Sequence, residues 1–508
     1  MSKKSQQEPE FADTSKDLSK KSQRLSHSGI LSRFVSLLSA QGVDGAVGGL
    51  FFLYLAWVNS SDYGQIMYAL AAGSIVFTVI QFGLYYPLVS ELGASNKDQC
   101  PSIINRVFII KMGLFLPAIL SVIVIAWQRN LSWELSLVLI SISLGFAAEA
   151  IADTFFADLR VRGFQSREAQ IKIQASIISY IYGFGAAALG LSPVIISLFK
   201  LVSSVIRIAL AFSTYVRDYP SGIFVLPHWL LTKNMFMAAI VFAMIEILGI
   251  IYNKTNIFFL EKYAGVTGVA FYSATWNIVD AVSVLASEQF LGWVIFPLLA
   301  GLWLNQKQEA QKLIRSNAKW LSAFAFPIMF FLSAESSLII GAIYPAEYKD
   351  AVWMQQYLVW TILLSFQNNL FSYVMMVSGS AKILLGIQAV ATVLNLGFNY
   401  FLVSAWGLKG ACLVIILTKL ATTSMTFSFC RFYLKVVSFQ DFLFPLTLAV
   451  FLFAGFEILN HLINIHAAVI LMIGMYMLLL MNLGPRLMGP MPGLTKKNVK
   501  EGTSTTSS

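Results

Sequence analysis

The sequence predicts an all-α membrane protein: about 14 transmembrane helices, in two pseudo-symmetric six-helix lobes plus two C-terminal helices. Three observations predict it. The 508 residues are 57% hydrophobic and only 12% charged, with a mean hydropathy of +0.72, whereas soluble domains are roughly a quarter charged. Apolar character is nearly continuous from Gly29 to Leu483, room for about 14 spans of roughly 20 residues with short connections. Segments of the first half also recur in the second. The same composition excludes a soluble globule, a disordered chain, a coiled coil and a disulfide scaffold. Cys100, Cys412 and Cys430 have no metal or disulfide spacing and read as small hydrophobes.

The elements follow in order. Residues 1–28 are polar, with Lys3, Lys4, Lys16, Lys20, Lys21 and Arg24 and no apolar centre, so they read as a cytoplasmic tail and not a signal peptide. The N-terminal lobe, 29–216, holds helices expected at 29–58, 64–90, 107–127, 131–152, 170–190 and 193–216. Polar punctuation closes them at Asn59-Ser60-Ser61-Asp62, Gln128-Arg129-Asn130 and Arg217-Asp218-Tyr219-Pro220. A cytoplasmic linker, 217–233, leads into the C-terminal lobe, 234–430, with helices expected at 234–252, 266–299, 320–343, 353–376, 383–404 and 411–430. The extra pair lies at 442–460 and 467–484, within 431–484, before a cytoplasmic tail, 485–508. Apolar runs of this length, without alternation or hairpin turns, are helices, whose backbones satisfy themselves in lipid. With both termini inside, this count places most of the 35 Lys and Arg in the cytoplasmic tails and loops. The net charge of +10 is then attraction to the inner leaflet, not a nucleic-acid footprint.

The two lobes share segments. Asp62-Tyr63-Gly64-Gln65-Ile66-Met67-Tyr68-Ala69 resembles Val266-Thr267-Gly268-Val269-Ala270-Phe271-Tyr272-Ser273. Gly163 with Gln174-Ala175 recurs as Gly379 with Gln388-Ala389, and Gly190-Leu191-Ser192 as Gly407-Leu408-Lys409. Parallel repeats of this kind put a transport pathway at the seam between halves.

Charges inside the spans mark candidate sites, because an ionisable group at the bilayer centre costs about 2.5–3.5 kcal/mol on insertion scales. Span 6 carries Lys200 and Arg207, seven residues apart on nearly one face, with Ser203 and Ser204 between them. Span 1 carries Arg33 and Asp44, span 3 Lys111, and span 5 Lys172 with Ser176 and Ser179. The first half thus reads as having an excess of buried positive charge. Arg33 and Lys111 also suit snorkelling to the inner surface, and Asp44 also suits a structural ion pair. In the second half, Gln388, Thr392, Asn395 and Asn399 form a stripe on span 11, and span 12 adds Lys419 with Thr422, Thr423 and Thr426. These read as the walls of a solvated cavity; amides at such positions also serve as interhelical bonds. Glu246, Asp280 and Glu288 are acids suited to proton or cation coupling if desolvated. No cofactor or metal site is implied.

Residues 30–430 resemble the polysaccharide flippases, of the O-antigen (Wzx) type, in the multidrug/oligosaccharidyl-lipid/polysaccharide exporter superfamily. The segments that carry the resemblance are Asp62-Tyr63-Gly64, Gly265 through Ala274, Pro297, Ile343 through Ala351 and Gly407-Leu408-Lys409-Gly410-Ala411. The resemblance implies alternating access that carries an undecaprenyl-pyrophosphate-linked glycan across the bacterial cytoplasmic membrane. Its partners would be that glycan, membrane lipids and a downstream polysaccharide polymerase or export machinery. Relatives often carry Asp near the outer end of span 7; this chain has Asn256, so no cation role is expected there.

Three other readings compete. A drug or cation antiporter of the same superfamily would want an acid-rich first lobe, against Lys200 and Arg207; a lipid II flippase would want arginines in spans 2 and 8, which this chain lacks. A membrane glycan polymerase or ligase would need a sizeable aqueous loop holding acid, base or metal groups, and no predicted loop provides one. The protein is therefore expected not to be an enzyme.

Overall fold

The computed structural model describes residues 27–220, 229–284, 291 and 295–489, without the side chains of most of 27–41. Among the described residues all regular structure is helical. The elements are α1 (His27–Val58), α2 (Ser60–Gln81), α3 (Tyr85–Ala94), α4 (Cys100–Gln128), α5 (Trp133–Val161), α6 (Gln165–Ala188), α7 (Pro193–Asp218), α8 (Trp229–Ser283), α9 (Phe296–Asn305), α10 (Lys307–Ala334), α11 (Ser336–Ile343), α12 (Lys349–Leu358), α13 (Trp360–Val377), α14 (Ala381–Phe398), α15 (Ser404–Ser428), α16 (Gln440–Asn460) and α17 (Ile465–Met488). Single π-helical turns, Asn399–Val403 and Phe429–Tyr433, follow α14 and α15.

Eight of the described helices, or nine with one bent pair, are long and apolar enough to cross a membrane. Two of the eight are themselves pairs joined at a glycine: α8 is broken at Gly265 (φ 70°) and α15 at Gly407 (φ 51°). The expected span 2 divides between α2 and α3, where Phe82 and Gly83 take positive φ. A side chain at position 83 would fall 2.5 Å from the Ala243 amide nitrogen, so only glycine allows that approach. The expected span at 320–343 is α10 and α11, bent by 67° at Glu335. Hydropathy reports how apolar a stretch is and carries no record of such breaks.

The repeated glycines share a geometry. After α5, Gly163 (φ 83°) closes the helix with the Phe164 amide bonded to the Leu159 carbonyl; after α13, Gly379 (φ 76°) does so with Ser380 and Met375. Gly190 ends α6 in the same way, with the Leu191 amide on the Ala186 carbonyl. This six-to-one bond with a left-handed glycine is the Schellman stop, which explains why the sequence repeats glycine at these points.

The chain forms two compact units. Unit 1 is Met1–Tyr54 with Val76–Ala243; unit 2 is Leu55–Ile75 with Met244–Ser508. The α1–α2 elbow therefore groups with unit 2, although it falls inside the expected N-terminal lobe. Packing explains that grouping. Trp57 donates to the Ile343 carbonyl (2.7 Å) and Ser60 to Glu347 (2.9 Å). Tyr63 is buried edge-on to Tyr348, which in turn packs on Phe271 and Tyr344. Burial pushes the Tyr344 phenol up to about 12, against the opposing effect of its hydrogen bond with Tyr63, so the cluster stays neutral. A Cβ on Gly64 would lie 2.0 Å from the Val266 carbonyl oxygen, so α2 meets α8 backbone to backbone. In unit 1, α3, α4, α5 and α7 enclose a core around Leu88, Ile104, Phe155, Phe156 and Tyr215. In unit 2, α16 and α17 dock on α10, with Phe330 edge-on to Phe453 and Phe456 and Tyr476 donating to the Ala323 carbonyl (2.7 Å).

Candidate functional site

Unit 1 carries a charge cluster. Gly145 on α5 leaves room for α7: a Cβ there would meet the Lys200 stem at 2.8 Å and its backbone at 3.0 Å. One turn further along α5, Phe146 and Glu149 face Lys200. Its ammonium lies 4.0 Å from the Phe146 ring centroid and 2.5 Å from Glu149 Oε2. Arg207, two turns along α7, donates to the other Glu149 oxygen. Its second terminal nitrogen donates to Ser176 (3.2 Å) and lies 3.7 Å from Asp44, which accepts from Ser176 (2.5 Å). The Lys200, Arg207 and Glu149 side chains are 15%, 8% and 20% exposed, while Asp44 is 44% exposed.

A second chain of polar contacts continues along α5. Lys111, fully buried, donates to Gln81 (2.5 Å) and to the Ala150 carbonyl (2.6 Å). Gln81 donates to Asp153, Arg160 bridges Asp153 and Glu168, and Lys172 pairs with Glu168 at 2.7 Å. Two expectations are corrected here. The buried positive charge of unit 1 is not left unpaired, because Glu149, Asp153 and Glu168 answer most of it; buried charges of one sign are too costly to leave without partners. Lys111 does not snorkel, because its ammonium is satisfied inside the bundle.

Unit 2 is built differently. A cavity of about 340 Å³ is lined by α8, α13, α14 and α15, with Lys419, Ser365, Asn368, Asn369, Gln388 and Tyr252 among its walls. Lys419 donates to Ser365 (2.5 Å) and stands 5.1 Å from the Trp276 ring centroid. Among the described residues no carboxylate lines this cavity. Beside it lies an apolar cavity of about 290 Å³, walled by Phe326, Phe371, Phe427, Phe439, Phe442 and Leu446. Leu364 and Thr423 border both.

Of the span-11 stripe, Gln388 lines the polar cavity, while Asn395 and Asn399 are fully buried outside it. Asn399 donates to Asn256 (2.7 Å) and Asn395 (3.0 Å), Asn395 to Thr418 (3.5 Å), and Asn256 to the Ala411 carbonyl (3.2 Å) and Tyr272 (3.3 Å). They tie α8, α14 and α15 together instead of facing water. Glu246 and Asp280 are half-buried on α8 and do not border the cavity. Glu288 and the Arg33 side chain lie outside the described residues. Sequence reasoning missed Glu149; the rule that flagged Lys200, an ionisable group inside an apolar span, would have flagged it too. Cys100, Cys412 and Cys430 are free and buried.

The sequence model of the family described as "Polysaccharide biosynthesis protein" matches residues 57–353, more than half of the chain. No protein of curated function matches it. Among solved structures, the lipid II flippase MurJ in an inward closed conformation is similar with a TM-score of 0.68 at 12% identity, over 89% of this chain and 99% of that one. An inward-facing multidrug resistance MATE family transporter of the MOP superfamily gives 0.59 at 14% identity, over 79% and 98%. A MOP superfamily transporter from Pyrococcus furiosus gives 0.52 at 15% identity, over 80% and 94%. The likeness is one of fold: a multi-pass membrane protein with the architecture of these transporters.

Proposed function

This chain belongs to the family of polysaccharide biosynthesis proteins, and on that premise we propose that it translocates a lipid-linked oligosaccharide across the cytoplasmic membrane by alternating access. The substrate class is an undecaprenyl-pyrophosphate glycan, delivered to a polymerase or export machinery on the far side. Both termini are cytoplasmic, in keeping with the positive-inside distribution of Lys and Arg.

The observation that carries this reading is the pair of cavities in unit 2. The polar one offers amides, hydroxyls, one ammonium and an aromatic face. Sugars take that combination, and the volume falls within the roughly 300–1,000 Å³ of small-ligand sites. The adjoining cavity offers only phenylalanine and aliphatic surface on most sides, which suits a polyprenyl chain. Lys419, donating to Ser365 and standing over the Trp276 ring, supplies a fixed cation for an acidic sugar or a phosphate. In unit 1, Lys200 and Arg207 supply two more cations, with Asp44 and Lys172 close by. A cationic drug would find no carboxylate among the described residues of the polar cavity, which disfavours the antiporter reading. No bond is made or broken in the process, so the protein acts as a transporter and not an enzyme.

The test is complementation of a strain lacking the gene. The Lys419→Ala protein is expected at normal levels in the membrane, with surface polysaccharide reduced at least tenfold and lipid-linked glycan accumulating on the cytoplasmic face. Full polymer output with no accumulated intermediate would overturn this reading.

A further inference from the structure

Glu149 stands between the two cations of unit 1 and is the single acid that both of them touch, one carboxylate oxygen to each. A carboxylate in that place is a resident anion in an anion site. We propose that a pyrophosphate diester displaces Glu149 from Lys200 and Arg207, and that the displaced carboxyl takes up a proton from solvent. The inference rests on the lipid-linked substrate reading above and adds to it a competing side chain and a proton.

The geometry supports displacement over addition. Lys200 has Phe146 on one side and Glu149 on the other and is only 15% exposed, so the carboxylate holds the place that an anion would take. Arg207 keeps Ser176 and Asp44 on its other terminal nitrogen, so one edge of the guanidinium stays anchored when the Glu149 edge is given up. The site is within reach of a ligand, because Asp44 is nearly half exposed and Glu149 and Lys200 are partly so.

Charge then decides the fate of the carboxyl. Two cations match the two negative charges of a pyrophosphate diester. An ionised Glu149 left beside them would be a third anion in a low-dielectric setting with its partners taken, and such a group neutralises instead of staying charged. The other groups around it are already engaged. On α7 these are Lys200 and Arg207 themselves. On α6, Lys172 is paired with Glu168 and Tyr180 is neutral. On α1, Asp44 is held by Ser176 and Arg207; on α4, Lys111 is bonded to Gln81 and the Ala150 carbonyl. On α3, Glu91 pairs with Arg106 of α4 at 3.0 Å. Along α5 itself, Asp153 is held by Arg160 and Gln81. Among the described residues none of these is free to take the place of Lys200 or Arg207 as partner to Glu149, which leaves protonation as the route. The sign follows: binding that takes up a proton weakens as pH rises, by at most tenfold per pH unit for one linked proton.

The experiment uses the purified full-length protein in detergent and a soluble dialkyl pyrophosphate diester, whose two charges are constant through the neutral range. Binding is followed by calorimetry, and proton uptake by a dye in weak buffer. Wild type should take up close to one proton per diester bound, and its affinity should fall with rising pH. Glu149→Gln should bind several-fold more tightly, without proton uptake and without that pH dependence. Glu149→Asp, which keeps the acid, should restore both. Equal affinity in wild type and Glu149→Gln, with no proton uptake in either, would sink the displacement and leave the substrate reading standing. Absence of binding even in Glu149→Gln, where both cations are uncovered, would sink the anion-binding role of unit 1 and the proposal with it.

Discussion

The two units solve the same problem, polar groups inside an apolar bundle, with opposite chemistry. Unit 1 buries full charges and balances them: Lys200 and Arg207 on Glu149, Arg160 on Asp153 and Glu168, Arg162 on Asp158 and Asp218. Around its cavity and amide cluster unit 2 buries neutral amides and hydroxyls, with Lys419 in the cavity wall, and the ion pairs of Lys319 with Asp441 and His466 with Glu335 lie apart from them. Ion pairs in a low dielectric are strong when whole and costly when halved, so unit 1 is a place where losing or swapping one charge has consequences. Hydrogen bonds between neutral amides are each worth about 1 kcal/mol net, so the amide cluster of unit 2 ties its helices together without a charge that a ligand could release. On the proposed reading, the contrast gives switching to the first unit and shape recognition to the second.

The largest expected effect comes from halving the unit 1 cluster. Arg207→Ala leaves Glu149 with Lys200 alone and Asp44 without its guanidinium, and breaking a buried pair of this kind costs about 3–5 kcal/mol. Thermal unfolding in detergent should show it as a clear drop in midpoint. Adding Glu149→Gln to Arg207→Ala takes the carboxylate from Lys200 as well and should lower the midpoint further. A double variant as stable as the single one would mean that the cluster is solvated and the contrast with unit 2 is overstated.

A smaller loss is expected in the amide cluster. Asn399→Leu keeps the volume close but removes the donors to Asn256 and Asn395, leaving two buried carbonyl oxygens short of partners at about 1–3 kcal/mol each at most. The loss should not depend on pH, because no member of the cluster titrates. A pH-dependent loss would show that a charged group shares the site and would erase the distinction drawn between the units.

How much of this was legible in the sequence follows from range. Hydropathy is local, so the spans were readable, and so were the glycine stops at Gly163, Gly190 and Gly379, which need only a left-handed residue after a helix. The segments that carried the family resemblance were readable too, but as landmarks: Tyr63-Gly64, Val266, Phe271, Tyr344 and Tyr348 meet in one packed cluster, and their chemistry is that of close approach. The site was less legible. Glu149 lies 51 residues from Lys200 and 58 from Arg207, and nothing local says that one carboxylate serves both. Asn395 and Asn399 looked like cavity walls because a polar stripe on a helix has the same sequence signature whether it faces water or another helix. Only the placement of Asn256 opposite them decides it.

That cluster gives the smallest and most specific test of where unit 2 begins. The elbow between α1 and α2 is fastened to the far end of the chain by two side-chain bonds, Trp57 to the Ile343 carbonyl and Ser60 to Glu347. Both lie at an exposed edge, where a hydrogen bond contributes only about 0.5–1.5 kcal/mol. Ser60→Ala should therefore lower stability by under about 1 kcal/mol, and Trp57→Phe, which keeps the ring and loses only the indole donor, by a similar amount. The diagnostic is location: hydrogen exchange should quicken in the 343–350 segment, almost 300 residues away in sequence, and not in neighbouring α3 or α4. If exchange quickened in α3 and α4 instead, residues 55–75 would belong energetically to unit 1, and the balanced-charge unit would then include the aromatic cluster as well.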